Sequence, residues 1–213
     1  MNPNILMPLA VAAVASAAFA DVSSTFDNNA EGWGTLNDAQ GFTWDANSGN
    51  PPGSIRARDV GNGQIWYYSA SSDFLGDQSF ATELSWDIQG ITGNQTSIPD
   101  RADVMLTGAG VTIGIDADVQ PIPGPWSSWS VSFNAAGWET ISNTTRGLLS
   151  GDAVTQADLN AVLADLTGLY IRGEYTNGAD ATALDNVLLT VIPAPSVAGV
   201  VGLAAVAWGR RRR

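Results

Sequence analysis

Between Asp21 and Ile192 the chain breaks into short runs of β-branched and aromatic residues, separated by clusters of Gly, Asn, Asp, Ser and Pro. That rhythm is the one expected of a β-sandwich. The runs predict strands over Ser23–Asp27, Ser54–Asp59, Gln64–Tyr68, Ala81–Gln89, Ala102–Thr107, Val111–Asp116, Trp129–Phe133, Leu169–Tyr175 and Leu184–Ile192. In Leu84-Ser85-Trp86-Asp87-Ile88 the apolar residues face one way and Ser85 and Asp87 the other, the two-residue period of a half-buried strand. One segment has a helical period instead. Leu159, Val162, Leu163 and Leu166 fall at i, i+3, i+4 and i+7 and form one apolar stripe. Thr155 is placed to cap this helix, with Asp158 three residues on as the partner of a capping box. Gly168 supplies the stop. A single amphipathic helix just before a strand predicts a cap over one end or edge of the sandwich. The stretch from Asp116 to Trp126, with Pro121, Pro123 and Pro125, reads as a rigid loop.

The two ends carry different patterns. Ile5 to Phe19 is apolar and alanine-rich, and Ala18-Phe19-Ala20 has the small-x-small form of a signal-peptidase site. Cleavage after Ala20 leaves Asp21 as the first mature residue. At the other end, Pro193-Ala194-Pro195 precedes an uncharged, largely apolar run from Ser196 to Gly209, and Arg210 to Arg213 follow. The run is shorter than the roughly 20 residues an ordinary membrane span needs, and the arginines hold the tail on the cytoplasmic side. A marginal anchor beside a Pro-Ala-Pro stretch suits recognition and cutting. This three-part tail resembles the PEP-CTERM sorting signals of Gram-negative bacteria, with Ala194 where that family usually has Glu. The resemblance implies transient membrane anchoring and processing by an exosortase-like enzyme at Pro193, Ala194 and Pro195, after passage through the export machinery. The expected domains are a signal peptide over 1–20, a sandwich over 21–192 and a sorting tail over 193–213.

Charge narrows the partners. All 21 acidic residues lie in the predicted sandwich, against five arginines there (Arg56, Arg58, Arg101, Arg146 and Arg172), and the chain has no lysine. Such a body repels nucleic acid and anionic membranes, and it offers carboxylates to divalent cations or simply a solvated surface. There is no Cys and no His. Their absence removes thiolate metal sites, a cysteine nucleophile, the Ser-His-Asp triad and most transition-metal sites. A glycosidase needs two carboxylates about 5 to 9.5 Å apart. Asp116-Ala117-Asp118 has a suitable spacing but enters the proline loop, so a hydrolase is the least favoured reading.

Read in order, seven segments resemble a laminin B domain, also called laminin type IV. They are Phe26–Trp33 (FDNNAEGW), Ile65–Ser79 (IWYYSASSDFLGDQS), Leu84–Ile88 (LSWDI), Asp103–Asp116 (DVMLTGAGVTIGID), Gly137-Trp138, Leu163–Tyr175 (LADLTGLYIRGEY) and Leu184–Leu189 (LDNVLL). The resemblance implies a mainly β fold, a jelly-roll sandwich akin to galactose-binding-like domains, and a non-catalytic role. The EGF-like modules that surround the domain in laminins are missing from this chain, so laminin partners do not carry over.

In a jelly roll the first and last strands run close together, and sandwiches of this type hold a structural calcium where acids on the two meet. Asp27 at the end of the first strand with Asn28 beside it, and Asp185 at the start of the last with Asn186, are the expected Ca2+ ligands, since calcium takes hard oxygens. The alternative is surface turns with Asx capping. Seven tryptophans lie in the body. Trp33, Trp86 and Trp138 fall in family-like motifs and are expected in the core. Trp44, Trp126 and Trp129 lie in or beside predicted loops and are the candidates for stacking on sugar rings, core packing being the alternative. The sequence thus points to an exported cell-surface or extracellular-matrix protein with a structural or adhesive role. The alternative is a module that binds extracellular polysaccharide or a surface protein.

Overall fold

The alternation in Leu84-Ser85-Trp86-Asp87-Ile88 becomes the middle of the longest strand, with Leu84, Trp86 and Ile88 buried against the opposite layer. A computed structural model describes residues 20–192 apart from 60, 62 and 94–96. In chain order its elements are β1 (Val22–Ser24), β2 (Gly34–Leu36), β3 (Gln40–Gly49), β4 (Pro52–Arg58), β5 (Tyr67–Ser69), β6 (Ala81–Thr92), β7 (Val104–Gly108), β8 (Val111–Ile115), β9 (Trp126–Ser132), β10 (Trp138–Asn143), β11 (Leu148–Ala153), α1 (Gln156–Ala164), β12 (Leu166–Arg172) and β13 (Ala181–Val191). A 3-10 turn over Ser72–Phe74 follows β5.

The strands form two antiparallel sheets. One has the order β3-β4-β13-β6-β9, with β1 also paired to β13. The other has the order β11-β10-β8-β7-β12-β5-β2. The jelly-roll sandwich expected from the sequence is the fold observed. Side chains from the two inner faces fill the space between the layers. Ile55, Leu84, Ile88 and Leu184 come from the first sheet and Tyr68, Leu106 and Ile171 from the second, all 0 % exposed. Phe26, Trp33 and Phe74 close one region of this core in an edge-to-face chain, with ring centroids 5.9 and 5.3 Å apart. The Trp33 indole N–H donates to Ser24 Oγ at 2.9 Å. Trp33, Trp86 and Trp138 are all buried, as their motifs suggested.

The outer face of the second sheet is also covered. Ile65, Tyr67, Ala102 and Met105 form a buried cluster there, backed by Leu36, Ile141 and Tyr170. The turn between β10 and β11 folds onto it. Thr145 O accepts from Ile65 N and Gly147 O from Ala102 N, both at 2.9 Å. A Cβ on Gly147 would lie 1.8 Å from the Tyr67 hydroxyl oxygen, so this turn admits no side chain there.

The helix forms where it was expected, and Thr155 and Asp158 exchange both hydrogen bonds of the capping box. Two details differ. The helix ends at Ala164 with Asp165 as its cap, and Leu166 opens β12 instead of closing the helical stripe. Gly168 is therefore a strand residue and not a helix stop. A Cβ there would meet the Tyr170 hydroxyl oxygen at 2.5 Å, which is a packing reason for glycine. Strands β2, β3, β10 and β11 were not expected. Gln40–Gly49 and Leu148–Ala153 are polar and lie at sheet edges, where one strand neighbour suffices and apolar alternation is not required. The first strand stops at Ser24 because Phe26 takes a positive φ of 52°.

Candidate functional site

The residues expected to gather at the first and last strands meet on the outer face of the first sheet. Asp185 of β13 pairs in register with Asp87 of β6. The register shifts between Asp185 and Leu188, and Asn186 has φ 48°. Such a bulge re-aims the side chains beside it. The β3–β4 hairpin then folds over both acids. Asn50 N donates to Asp185 Oδ2 at 2.6 Å and Asn186 N to Asp185 Oδ1 at 2.7 Å. Asp87 Oδ2 accepts from Asn186 Nδ2 at 2.9 Å and from Asn50 Nδ2 at 3.2 Å, while Ser128 Oγ donates to Asp87 Oδ1 at 2.5 Å.

Asp27 reaches the same seam from the other side. A Cβ on Gly53 would stand 2.6 Å from Phe26 O and 3.1 Å from Asp27 Cα, so glycine at that position lets the two backbones touch. Burial, and then the charges of Asp87 and Asp27, push the Asp185 carboxyl up to about 6, against the two N–H donors that favour its ionised form. Asp27 is exposed and accepts a hydrogen bond from Thr25 Oγ1 at 3.0 Å. Of the four expected ligands, Asp185 and Asn186 adjoin directly, and Asp27 comes near enough for its charge to act on Asp185. Asn28 stays on the exposed turn. Sequence reasoning missed Asp87 and Asn50. Asp87 had a signal, being an outward position of the LSWDI alternation. Asn50 had none, because its place depends on how a hairpin folds over two other strands. The seam offers the hard oxygens that calcium takes, although Asp27, Asp87 and Asp185 do not bring their carboxylate oxygens within 4.8 Å of one another.

A groove of about 440 Å³ runs along the outer face beside the seam. Ser23, Thr25, Ser85, Asp87 and Ser128 supply polar lining, and Leu188 contributes apolar surface. Asp87 and Asn186 belong to both the groove and the seam. Hydroxyls, an amide and a carboxylate over an apolar patch are the groups that hydrogen-bond and stack against a polyhydroxylated ligand.

The three candidate tryptophans are not in loops. Trp44 lies within β3 opposite Ile55, half-buried, with its indole N–H donated to Phe26 O at 2.6 Å. Trp126 opens β9 opposite Gln89, and Trp129 lies in the same strand opposite Trp86. The Trp129 indole N–H donates to Ser127 Oγ at 2.9 Å. Three residues apart on one strand, Trp126 and Trp129 point to opposite faces. β3 and β9 are the two edges of the sheet, four strand spacings or roughly 19 Å apart. The three indoles thus form no single stacking row. Trp129 borders the groove, as Trp86 does, but it stands opposite buried Trp86 and shares that residue's inward face.

Of the expected processing residues, Ala20 is exposed at the start of the described chain. Pro193, Ala194 and Pro195 lie outside the described residues, as does the apolar run after them. Among the described residues no helix is long and apolar enough to cross a membrane.

The model of the family described as Laminin B (Domain IV) matches residues 67–202. Among solved structures, the L4b domain of human laminin alpha-2 superposes with a TM-score of 0.60 at 14% identity, over 81% of this chain and 98% of that one. A family 11 carbohydrate-binding module of a Clostridium thermocellum cellulosomal cellulase gives a TM-score of 0.52 at 13% identity, over 83% and 97% of the two chains. The xylan-binding CBM22-1 domain of a Paenibacillus barcinonensis protein gives 0.51 at 15% identity, over 82% and 95%. At these identities the likeness is one of fold. No curated protein matches the chain.

Proposed function

This chain belongs to the Laminin B (Domain IV) family, and from that premise we propose that it is an exported, non-catalytic adhesion module that works at the cell surface or in an extracellular matrix. The observation that carries the proposal is the family match over residues 67–202. The chemistry agrees with it. A chain without Cys or His has no thiolate nucleophile and no imidazole base. The leader over 1–20 and the basic-ended tail over 193–213 supply delivery, with the tail as a passing membrane tether for an exosortase-like enzyme. A fusion in which residues 193–213 are removed should be released to the medium, while the full chain stays accessible to surface labelling. Equal surface retention of both would contradict the sorting role of the tail.

The groove supports a second reading, a module that recognises extracellular polysaccharide. Its polar lining motivates that reading. Soluble oligosaccharides should then shift the tryptophan fluorescence of the parent protein, and Ser85→Ala in the groove should reduce the response at least tenfold in affinity. An unchanged spectrum across a glycan panel leaves adhesion through protein contacts.

The seam is the place for the structural calcium. Asp27, Asp87, Asp185 and Asn186 would hold the ion, and it would fasten the hairpin and the first strand to β13. It would brace the fold and take part in no reaction. Chelation should lower the melting temperature, and Asp185→Asn should remove the response to added calcium at this site. A melting temperature insensitive to chelator rules the ion out.

A further inference from the structure

A second group of acids lies on different elements from the seam. Asp38 sits in the turn between β2 and β3, Asp59 follows β4 directly, and Glu174 comes two residues after β12. Each offers a carboxylate oxygen within 4.8 Å of the other two. Two oxygens bound to one calcium at about 2.4 Å each stand no more than about 4.8 Å apart, so the spacing is that of ligands sharing one ion.

Their surroundings supply few of the groups that normally satisfy buried carboxylates, and the backbone of Trp66 is the donor that reaches the Glu174 carboxyl. Glu174 is 5 % exposed, and its Oε2 is buried without a hydrogen-bond donor. Both carboxylate oxygens of Asp38 are buried without one as well. Asp59 Oδ1 accepts from Gly61 N at 2.6 Å. Among the described residues the ion pairs join Arg56 to Asp45 and Arg172 to Asp103. Arg101 and Arg146 line the same cavity as Glu174, yet neither is paired with it. Leaving such oxygens out of water and without a counter-charge is costly. At the seam the buried acids already accept N–H and O–H donors on every carboxylate oxygen, so an ion there would have to replace donors that the Asp38, Asp59 and Glu174 group largely lacks.

We infer that Asp38, Asp59 and Glu174 form a second divalent-cation site, suited to calcium. The ligands are all carboxylate oxygens, the set that hard cations take. The ion would tie the β2–β3 turn, the end of β4 and the β12–β13 connection to one point, and so lock both sheets together at that place.

Calcium titration of the chelator-stripped full chain tests this, by calorimetry and by terbium luminescence sensitised through Trp66, whose ring packs against Gly173 beside Glu174. Glu174→Gln and Asp59→Asn should each remove one bound ion or weaken it at least tenfold, and Asp185→Asn should leave that ion in place. In chelator, Glu174→Gln should melt no lower than the parent, because it removes a charge without removing volume. Titrations of Glu174→Gln and Asp59→Asn that match the parent would overturn the inference, as would a parent chain that binds no calcium. If Asp185→Asn alone abolishes binding, the seam holds the ion and this site fails. If Glu174→Gln alone abolishes it, this site stands and the seam fails.

Discussion

Arg172 shows how one residue in the Ile171-Arg172-Gly173-Glu174-Tyr175 run fixes its neighbours. Its guanidinium lies 3.6 Å from Asp103 Oδ1, donates to Ile98 O at 2.8 Å and to Glu174 O, and stands 4.8 Å over the Tyr175 ring. Gly173 has no room for a Cβ, which would fall 2.0 Å from the Trp66 ring. Asp103 Oδ2 accepts from Ala117 N and Val119 N at 2.9 and 3.1 Å, so the acid also holds the start of the proline loop. Replacing Asp103 with Ala leaves a buried guanidinium without its partner. The expected loss is about 3–5 kcal/mol of unfolding free energy in a denaturant titration. Glu174 acts oppositely when no ion is bound. Burial, then the charges of Asp59, Asp180 and Asp38, push its carboxyl from 4.5 up to about 8. A raised acid binds its proton more tightly in the folded state than in the unfolded one. Stability of the ion-free protein should therefore be greatest below about pH 4.5 as far as this group is concerned, and should fall as pH rises toward about 8. Thermal melts in chelator across that range check the sign, and Glu174→Gln should flatten the slope. A steeper rise in stability with pH than in the variant would show the acid to be favourably paired.

At the scale of elements, what the sequence revealed follows from what each element needs. β6 was legible because one face is buried and the other is not, so Leu84, Trp86 and Ile88 alternate with polar residues. The helix was legible because its cap is local: Thr155 and Asp158 are three residues apart and find each other without the rest of the fold. Thr155→Ala should cost about 1 kcal/mol through loss of the cap, read as a lowered denaturation midpoint with unchanged transition slope. β3 and β11 were not legible because edge strands carry no obligatory apolar face. Trp44 was misplaced for the same reason, since it belongs to one of those polar edges. The seam was half legible. Asp27 and Asp185 follow from the rule that first and last strands lie together, whereas Asp87 and Asn50 arrive through cross-strand register and a folded hairpin. The Asp38, Asp59 and Glu174 group left no trace in the sequence, because its members come from three separate connections.

The whole molecule presents two unlike outer faces. That of the second sheet is closed by the β10–β11 turn and its own apolar cluster. That of the first sheet keeps an open, polar groove next to the seam. The proposed partner contact is therefore sought on the first sheet, and the strongly acidic chain disfavours nucleic acid and anionic lipid. Delivery outside the cell is the proposal on which the rest of the account depends. Intact mass spectrometry of the protein recovered from the cell surface and the surrounding matrix tests it most directly. The account predicts a chain that begins at Asp21 and has lost its four terminal arginines. Recovery of the uncut chain, from Met1 through Arg213, in the cytoplasm would contradict it.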